Sequence, residues 1–257
     1  MNVLITGSNG FIGKNLKISL EKLKRFNIID FNREHSEEDL LIAVKKAEII
    51  VHLAGENRPE NNEAFEETNH MLTKKICKFC SEKDTKTHII FSSSIQAGND
   101  SQYGKSKLAA EEELLKLKNN SANFVNIFRF PGVFGKWCKP NYNSVVATFC
   151  NNVANNLPIE IKDKSYKLNL VYIDDLVDQI LEVINSPLDE VFVDTKSVHQ
   201  KTLGEVAEII NSFRKNRTKL YVANMEDSFI KALYATYVTY LPKENFSYDL
   251  ISHEDER

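Results

Sequence analysis

No apolar run in this chain is long enough to cross a bilayer. The longest, such as residues 47–54, fall well short of the roughly 20 residues a membrane helix needs. A basic leader followed by an apolar stretch is also missing. Met1-Asn2-Val3-Leu4-Ile5-Thr6-Gly7 reads instead as a strand entering a turn, so no signal peptide is expected and a soluble, cytoplasmic protein is. Charge of one sign is scarce too. A net charge of -3 leaves no broad basic field, so neither nucleic acid nor a membrane is expected as a partner, and any negative ligand must be met by local groups. Cysteine is sparse. Cys77 and Cys80 form a C-x-x-C, but in a stretch that reads as helix, while Cys138 and Cys150 are isolated. No second pair completes a zinc site, so we read all four as packing residues and expect no metal. Repeats, low-complexity tracts and flexible linkers are absent as well.

What remains describes a packed globular chain. Its 257 residues, 42% of them hydrophobic, suffice for one large domain or one domain with a small lobe. Short β-rich runs at 3–6, 26–31, 48–53, 88–92 and 125–130 alternate with helical periodicity at 11–24, 69–81 and 105–118. Ser36-Glu37-Glu38-Asp39 opens another helix, with a serine cap and acids in the first turn. This order predicts an α/β fold, a Rossmann-like doubly wound parallel sheet. After residue 130 the pattern loosens into a loop at 136–143, a helix through 154, a strand at 167–173, and helices at 175–184 and 203–213. We expect a cofactor-binding body over residues 1–135 and a small C-terminal substrate-binding lobe from segments within 136–257.

Two motifs carry chemistry. The first is Gly7-Ser8-Asn9-Gly10-Phe11-Ile12-Gly13, preceded by a strand and followed by a helix. Gly7 permits the tight turn, Gly10 lets backbone approach a pyrophosphate, and Gly13 lets the helix pack close. The helix N-terminus then presents free N–H groups to the phosphates. The second is Ser94 with Tyr103-Gly104-Lys105-Ser106-Lys107. Side chains at i and i+4 share a helix face, so Tyr103 and Lys107 can meet at one site. An ammonium beside a phenol is expected to lower the tyrosine pKa and make Tyr103 a usable acid. Ser94, at a strand end, could hold a carbonyl.

Together with His52-Leu53-Ala54-Gly55, Asn69 and Ser92-Ser93-Ser94, these motifs resemble the extended short-chain dehydrogenase/reductase (epimerase/dehydratase) family over nearly the whole chain. The resemblance implies that Tyr103 transfers the proton, Lys107 also binds the nicotinamide ribose, and Ser94 polarises the carbonyl. Leu53, Ala54 and Gly55 would line the cofactor groove, with Asn9, Gly10, Phe11, Ile12 and Gly13 at the phosphates and Asn69 in support. A homodimer is common among such relatives.

The run from Arg129 to Ser144, the segment containing Asn57-Arg58-Pro59, and Tyr234-Ala235-Thr236-Tyr237 are similar to a narrower group of bacterial capsular-polysaccharide reductases. That group implies NADPH-dependent reduction of the 4-keto group of a UDP-linked 6-deoxy-4-keto-N-acetylhexosamine, on the way to UDP-N-acetyl-L-fucosamine. Its members carry a C-terminal cupin domain, and this sequence stops near where one would begin. Arg58, Lys136, Trp137, Lys139, Asn141 and Asn143 are the candidate substrate-binding residues. Lys136 and Lys139 could neutralise the diphosphate, and Trp137 either packs on a sugar or anchors the loop.

Departures from the family pattern are informative. Only eight residues separate Ser94 from Tyr103, fewer than usual, and Gly132 stands where asparagine is common. Cofactor choice turns on two residues. Asp30, near the end of the second strand, is placed to bind the ribose hydroxyls of NAD, whereas Arg33 could meet the 2′-phosphate of NADP. The narrower resemblance favours NADP(H), with NAD(H) the alternative. Ile95 and Gln96 after Ser94 cannot transfer protons, which argues against dehydration. A 4-epimerase fits the same triad, and a non-catalytic nucleotide sensor or scaffold fits the fold but has no need of the triad.

Overall fold

A computed structural model describes residues 1–59, 61–219, 221 and 223–246. In chain order the elements are β1 (Asn2–Thr6), α1 (Phe11–Lys22), β2 (Asn27–Phe31), α2 (Glu37–Lys46), β3 (Ile49–His52), α3 (Glu63–Phe65), a π-helical turn (Glu66–Met71), α4 (Leu72–Ser81), β4 (His88–Ser94), α5 (Gln102–Asn120) and β5 (Phe124–Phe130). There follow β6 (Gly132–Phe134), α6 (Val145–Ala154), β7 (Lys167–Tyr172), α7 (Ile173–Asn185), β8 (Phe192–Val193), β9 (His199–Thr202), α8 (Leu203–Lys219), α9 (Ser228–Val238) and a 3-10 turn (Lys243–Phe246).

The expected doubly wound sheet is present. Six parallel strands run in the order β2-β1-β3-β4-β5-β8. Strand side chains alternate between faces, and the two faces bury different layers. Val3, Ile5, Val51 and Ile90 meet Leu16 and Leu20 of α1 and Val177 and Ile180 of α7. Leu4, Ile50, Ile89 and Phe91 meet Leu40 and Val44 of α2, Ile76 of α4 and Leu114 of α5. Because both faces are covered, the central strands read as nearly unbroken apolar runs. The serine cap on α2 is also found. Ser36 accepts from the Asp39 backbone N–H, and the Asp39 carboxylate accepts from Ser36 N–H at 2.8 Å.

The chain divides into two compact units. Residues 1–134 and 169–200 hold the six-stranded sheet, with β6 pairing in parallel with β7. Residues 135–168 and 201–257 hold α6, α8 and α9. There Phe213 packs edge-on against Tyr234 at 5.2 Å and lies 5.7 Å from Tyr237. Helix α9 is not anticipated by the sequence pattern, because its tyrosine, threonine and valine residues favour strands. None of the helices among the described residues is long and apolar enough to cross a membrane. All four cysteines are buried, and burial pushes the Cys80 thiol up to about 12.

Candidate active site

The strand order reverses at β1, where β2 and β3 lie on opposite sides, and ligands of such sheets bind beyond the strand ends at that point. A cleft of about 540 Å³ opens there, lined by Gly7, Asn9, Gly10, Asn32, Arg33, Leu53, Ala54 and Gly55 among others. Its floor is built by close backbone approach. Gly7 adopts φ +70°, and a Cβ there would stand 2.9 Å from the Ala54 backbone. A Cβ on Gly13 would stand 2.3 Å from the Gly7 carbonyl oxygen. Gly10 is the N-cap of α1 and offers no side-chain cap, leaving the first-turn N–H groups for a ligand. Phe11 and Ile12 turn their side chains into the apolar layer under the sheet, so only their backbone could serve a phosphate. This cradle, which side chains would fill, fits a dinucleotide diphosphate.

Asp30 is not among the cleft-lining residues, and its carboxylate pairs with Lys17 Nζ at 2.5 Å. Side chains alternate along β2, so its last residue, Phe31, faces the cleft instead. Asn32 follows, accepting from Asn9 N–H at 3.0 Å and donating to Ser8 Oγ at 2.9 Å, a role the sequence reading missed. Arg33 does line the cleft. Its guanidinium is largely exposed and pairs with Glu56, a buried carboxylate just beyond β3.

Behind the cleft floor a buried chain of hydrogen bonds fixes the loop after β3. Thr73 Oγ1 donates to the Asn69 carbonyl at 2.7 Å, so at its 2.9 Å contact with His52 Nε2 it must accept. His52 Nδ1 then accepts from Thr6 at 2.6 Å, and Thr6 accepts from Ala54 N–H. Desolvation, with Lys107 adding to it, pulls the His52 pKa down to about 3, so the ring is neutral. Asn69 lies on the π-helical turn, a helix irregularity common at functional sites. It accepts from Glu56 N–H at 2.7 Å and donates to the Glu56 carbonyl and to Ser106 Oγ, both at 2.9 Å. Arg58 is exposed in the same loop.

The structure brings Ser94, Tyr103 and Lys107 together. Ser94 ends β4, with its hydroxyl near enough to the Tyr103 phenol to favour the phenolate. Lys107, buried one helical turn further along α5, donates to the Ser92 carbonyl at 2.8 Å. A Cβ on Gly55, which lines the cleft, would be 3.0 Å from Lys107 Nζ, so the cleft runs up to this ammonium. Burial pushes the Lys107 pKa down to about 8, and Glu111 opposes that fall. Tyr103 departs from expectation. Its pKa is raised, because burial penalises the phenolate and only the Ser94 hydroxyl offsets it. Lys107 aims at the Ser92 carbonyl rather than at the phenol.

The short connection after Ser94 has its own signature. Gly98 N–H donates to the Gly104 carbonyl at 3.0 Å, and a Cβ on Gly104 would stand 2.4 Å from the Gln96 carbonyl oxygen. Glycine after Tyr103 is therefore required by the tight loop. Gly132 is similarly confined, with a Cβ falling 3.1 Å from the Asn169 carbonyl oxygen.

The substrate-loop candidates lie in the second unit. Lys136 sits over the Trp137 ring at 5.1 Å, and Lys139 over Tyr142 at 5.4 Å. Trp137 is 48% exposed, which excludes the fully buried anchor. Asn141 adopts φ +54° and donates its N–H to Thr148 at 3.0 Å, and Asn143 lies just before the α6 cap, Ser144.

A Rossmann-type sheet with a glycine cradle at its reversal and a Ser-Tyr-Lys set beside it defines a class, and the chain belongs to it: the NAD dependent epimerase/dehydratase family matches residues 3–193. Over its full length it is 42% identical to UDP-2-acetamido-2,6-beta-L-arabino-hexul-4-ose reductase of Pseudomonas aeruginosa strain PA103, covering 69% of that protein. It is also similar to the capsular polysaccharide assembling protein CapF of Staphylococcus aureus, with a TM-score of 0.88 and 38% identity over all of this chain and 70% of that one. UDP-glucuronic acid 4-epimerase of Bacillus cereus, solved with NAD, shares the fold at a TM-score of 0.80 and 16% identity, covering 93% of this chain and 98% of that one.

Proposed function

We propose that this chain is an NADPH-dependent reductase acting on the 4-keto group of a UDP-linked 6-deoxy-4-keto-N-acetylhexosamine, a precursor step towards UDP-N-acetyl-L-fucosamine for capsular or surface polysaccharide. The observation that carries this reading is similarity over the whole of this chain to a UDP-2-acetamido-2,6-beta-L-arabino-hexul-4-ose reductase, in a chain whose glycine-lined cleft runs up to Lys107, one helical turn after Tyr103. A nicotinamide cofactor, when bound, supplies the hydride. Ser94 donates a hydrogen bond to the carbonyl oxygen, and Tyr103 gives that oxygen its proton. A phenol held protonated by burial suits this direction, since reduction consumes a proton. Lys107 holds the cofactor ribose and supplies the nearby positive charge. Loss of reduced-nicotinamide absorbance on adding the 4-keto sugar nucleotide tests the reading. One equivalent consumed supports it, and unchanged absorbance with an authentic substrate refutes it.

The preference for NADPH rests on Arg33, the cationic residue at the β2 end of the cleft, where Asp30 is turned away. A 2′-phosphate would draw Arg33 from Glu56. Arg33→Ala is expected to weaken NADPH binding by about 1.5–3 kcal/mol and leave NADH nearly unchanged, the range for charged hydrogen bonds. Calorimetric titration with both cofactors checks this, and equal losses would remove Arg33 from the role.

For the sugar nucleotide we propose the 136–143 loop, supported by two lysines, a half-exposed tryptophan and amide side chains suited to sugar hydroxyls, with Arg58 of the first unit a separate candidate. Lys136→Ala with Lys139→Ala is expected to raise the substrate KM more than it lowers kcat, because a diphosphate is held alike in ground and transition states. UDP should compete with the sugar nucleotide and only weakly with NADPH. An unchanged KM, or UDP competing with the cofactor alone, would place the substrate elsewhere. A homodimer belongs to the same proposal, and light scattering tests it.

A further inference from the structure

We infer that Glu111, gripped by Arg129 and Ser93, is a positioning residue of this site: it fastens the Ser94 end of β4 to α5 and provides the counter-charge for Lys107. The inference rests on the reading of Ser94, Tyr103 and Lys107 given above. Its basis is a stripe along α5. Residues 103, 107 and 111 succeed one another at i, i+4 and i+8 on one helix face. Two of them bond directly to consecutive serines of β4, Lys107 to the Ser92 carbonyl at 2.8 Å and Glu111 to the Ser93 hydroxyl, which donates to Oε1, while the Ser94 hydroxyl lies near enough to Tyr103 to favour its phenolate.

Glu111 is held from two strands at once. Ser93 and Arg129 are register partners across β4 and β5. Arg129 Nε donates to Oε1 at 3.0 Å and Nη2 to Oε2 at 2.6 Å, with the guanidinium 5.0 Å from the Phe192 ring centre. The carboxylate is 1% exposed. Burying a charge is costly even when paired, and an apolar residue of similar volume often serves stability as well or better. A stability role alone therefore gives little reason for a carboxylate here.

Its charge does have a recipient. The groups facing Lys107 are the Phe91 ring at 4.9 Å and neutral His52 from the strands, and Tyr103 and Glu111 from its own helix. Among the described residues, Glu111 is the anion whose field favours the Lys107 ammonium. A favouring charge raises a lysine pKa, so removing it must move deprotonation to lower pH.

Two variants test the two halves. Glu111→Gln keeps the shape and an acceptor for Ser93 but removes the charge. Cofactor affinity, read by fluorescence titration across pH, should fall at alkaline pH as Lys107 loses its proton. In Glu111→Gln that fall should begin lower by about one pH unit, the scale of a single near charge, and the alkaline limb of kcat should move with it. Ser93→Ala should lower kcat on the order of 10-fold through misplacement of Ser94. Both KM values should stay within about twofold and the pH profile should stay in place. A wild-type pH dependence in Glu111→Gln overturns the charge role, and wild-type kcat in Ser93→Ala overturns the positioning role. If Glu111→Gln does not fold, Ser93→Ala decides the positioning role and Glu111→Asp the charge role: aspartate keeps the charge and should leave the pH profile in place, and a shifted profile overturns that role. Failure here is distinguishable from failure of the functional reading, which would instead leave Tyr103→Phe fully active.

Discussion

Replacing Tyr103 by phenylalanine is expected to lower turnover on the order of 100-fold or more, the scale of a lost general acid. The substitution removes one oxygen and its proton while keeping the ring that packs 6.0 Å from Phe65. Cofactor affinity should barely change, because Lys107 keeps its bond to the Ser92 carbonyl and the glycine cradle is untouched. Ser94 Oγ keeps its bond from Gln96 N–H at 3.1 Å, so the strand end should hold. Single-turnover kinetics with saturating NADPH isolates the chemical step. Near-normal turnover in the phenylalanine variant would mean that another group delivers the proton.

Gly13→Ala should have an effect of similar size by a different route. The added methyl carbon would stand 2.3 Å from the Gly7 oxygen and 2.7 Å from Ser8 Cα, both backbone atoms that cannot rotate away. Either the turn opens or α1 moves outward, and both displace the first-turn N–H groups from the diphosphate. We expect NADPH affinity to drop on the order of 100-fold, with a stability loss of about 1–3 kcal/mol from overpacking. Gly10→Ala separates the two effects. Its nearest neighbour would be 3.1 Å away, so the fold should persist while a methyl group intrudes on the cleft. Full affinity in Gly13→Ala would show that the cradle does not hold the cofactor.

Much of this was legible before the structure, for physical reasons. Residues 3–5, 49–51 and 89–91 face buried layers on both sides, so they read as apolar runs, and glycines between the first strand and helix have a narrow set of uses. The i+4 spacing places Tyr103 and Lys107 together, and the same spacing carried one step further points to Glu111. Other features depend on what spacing does not encode. Asp30 and Phe31 differ by one residue, but that step flips a side chain across the sheet, and propensity does not fix the parity. The Tyr103 pKa direction depends on desolvation and on where the Lys107 ammonium points, and i+4 proximity reports neither. Asn32 and Glu56 carry no motif at all, and their roles come from chain segments meeting beyond the strand ends.

In the proposed reaction a hydride passes to carbon 4 of a UDP-linked keto-sugar. The direct measurement is to supply NADPH deuterated at the transferable position of the nicotinamide with the UDP-linked 6-deoxy-4-keto-N-acetylhexosamine, and locate the label by NMR and mass spectrometry. One deuterium at carbon 4 of the product sugar and one equivalent of oxidised cofactor are expected. A product without deuterium at carbon 4, or a keto-sugar left unreduced with no NADPH oxidised, would contradict the proposed reaction.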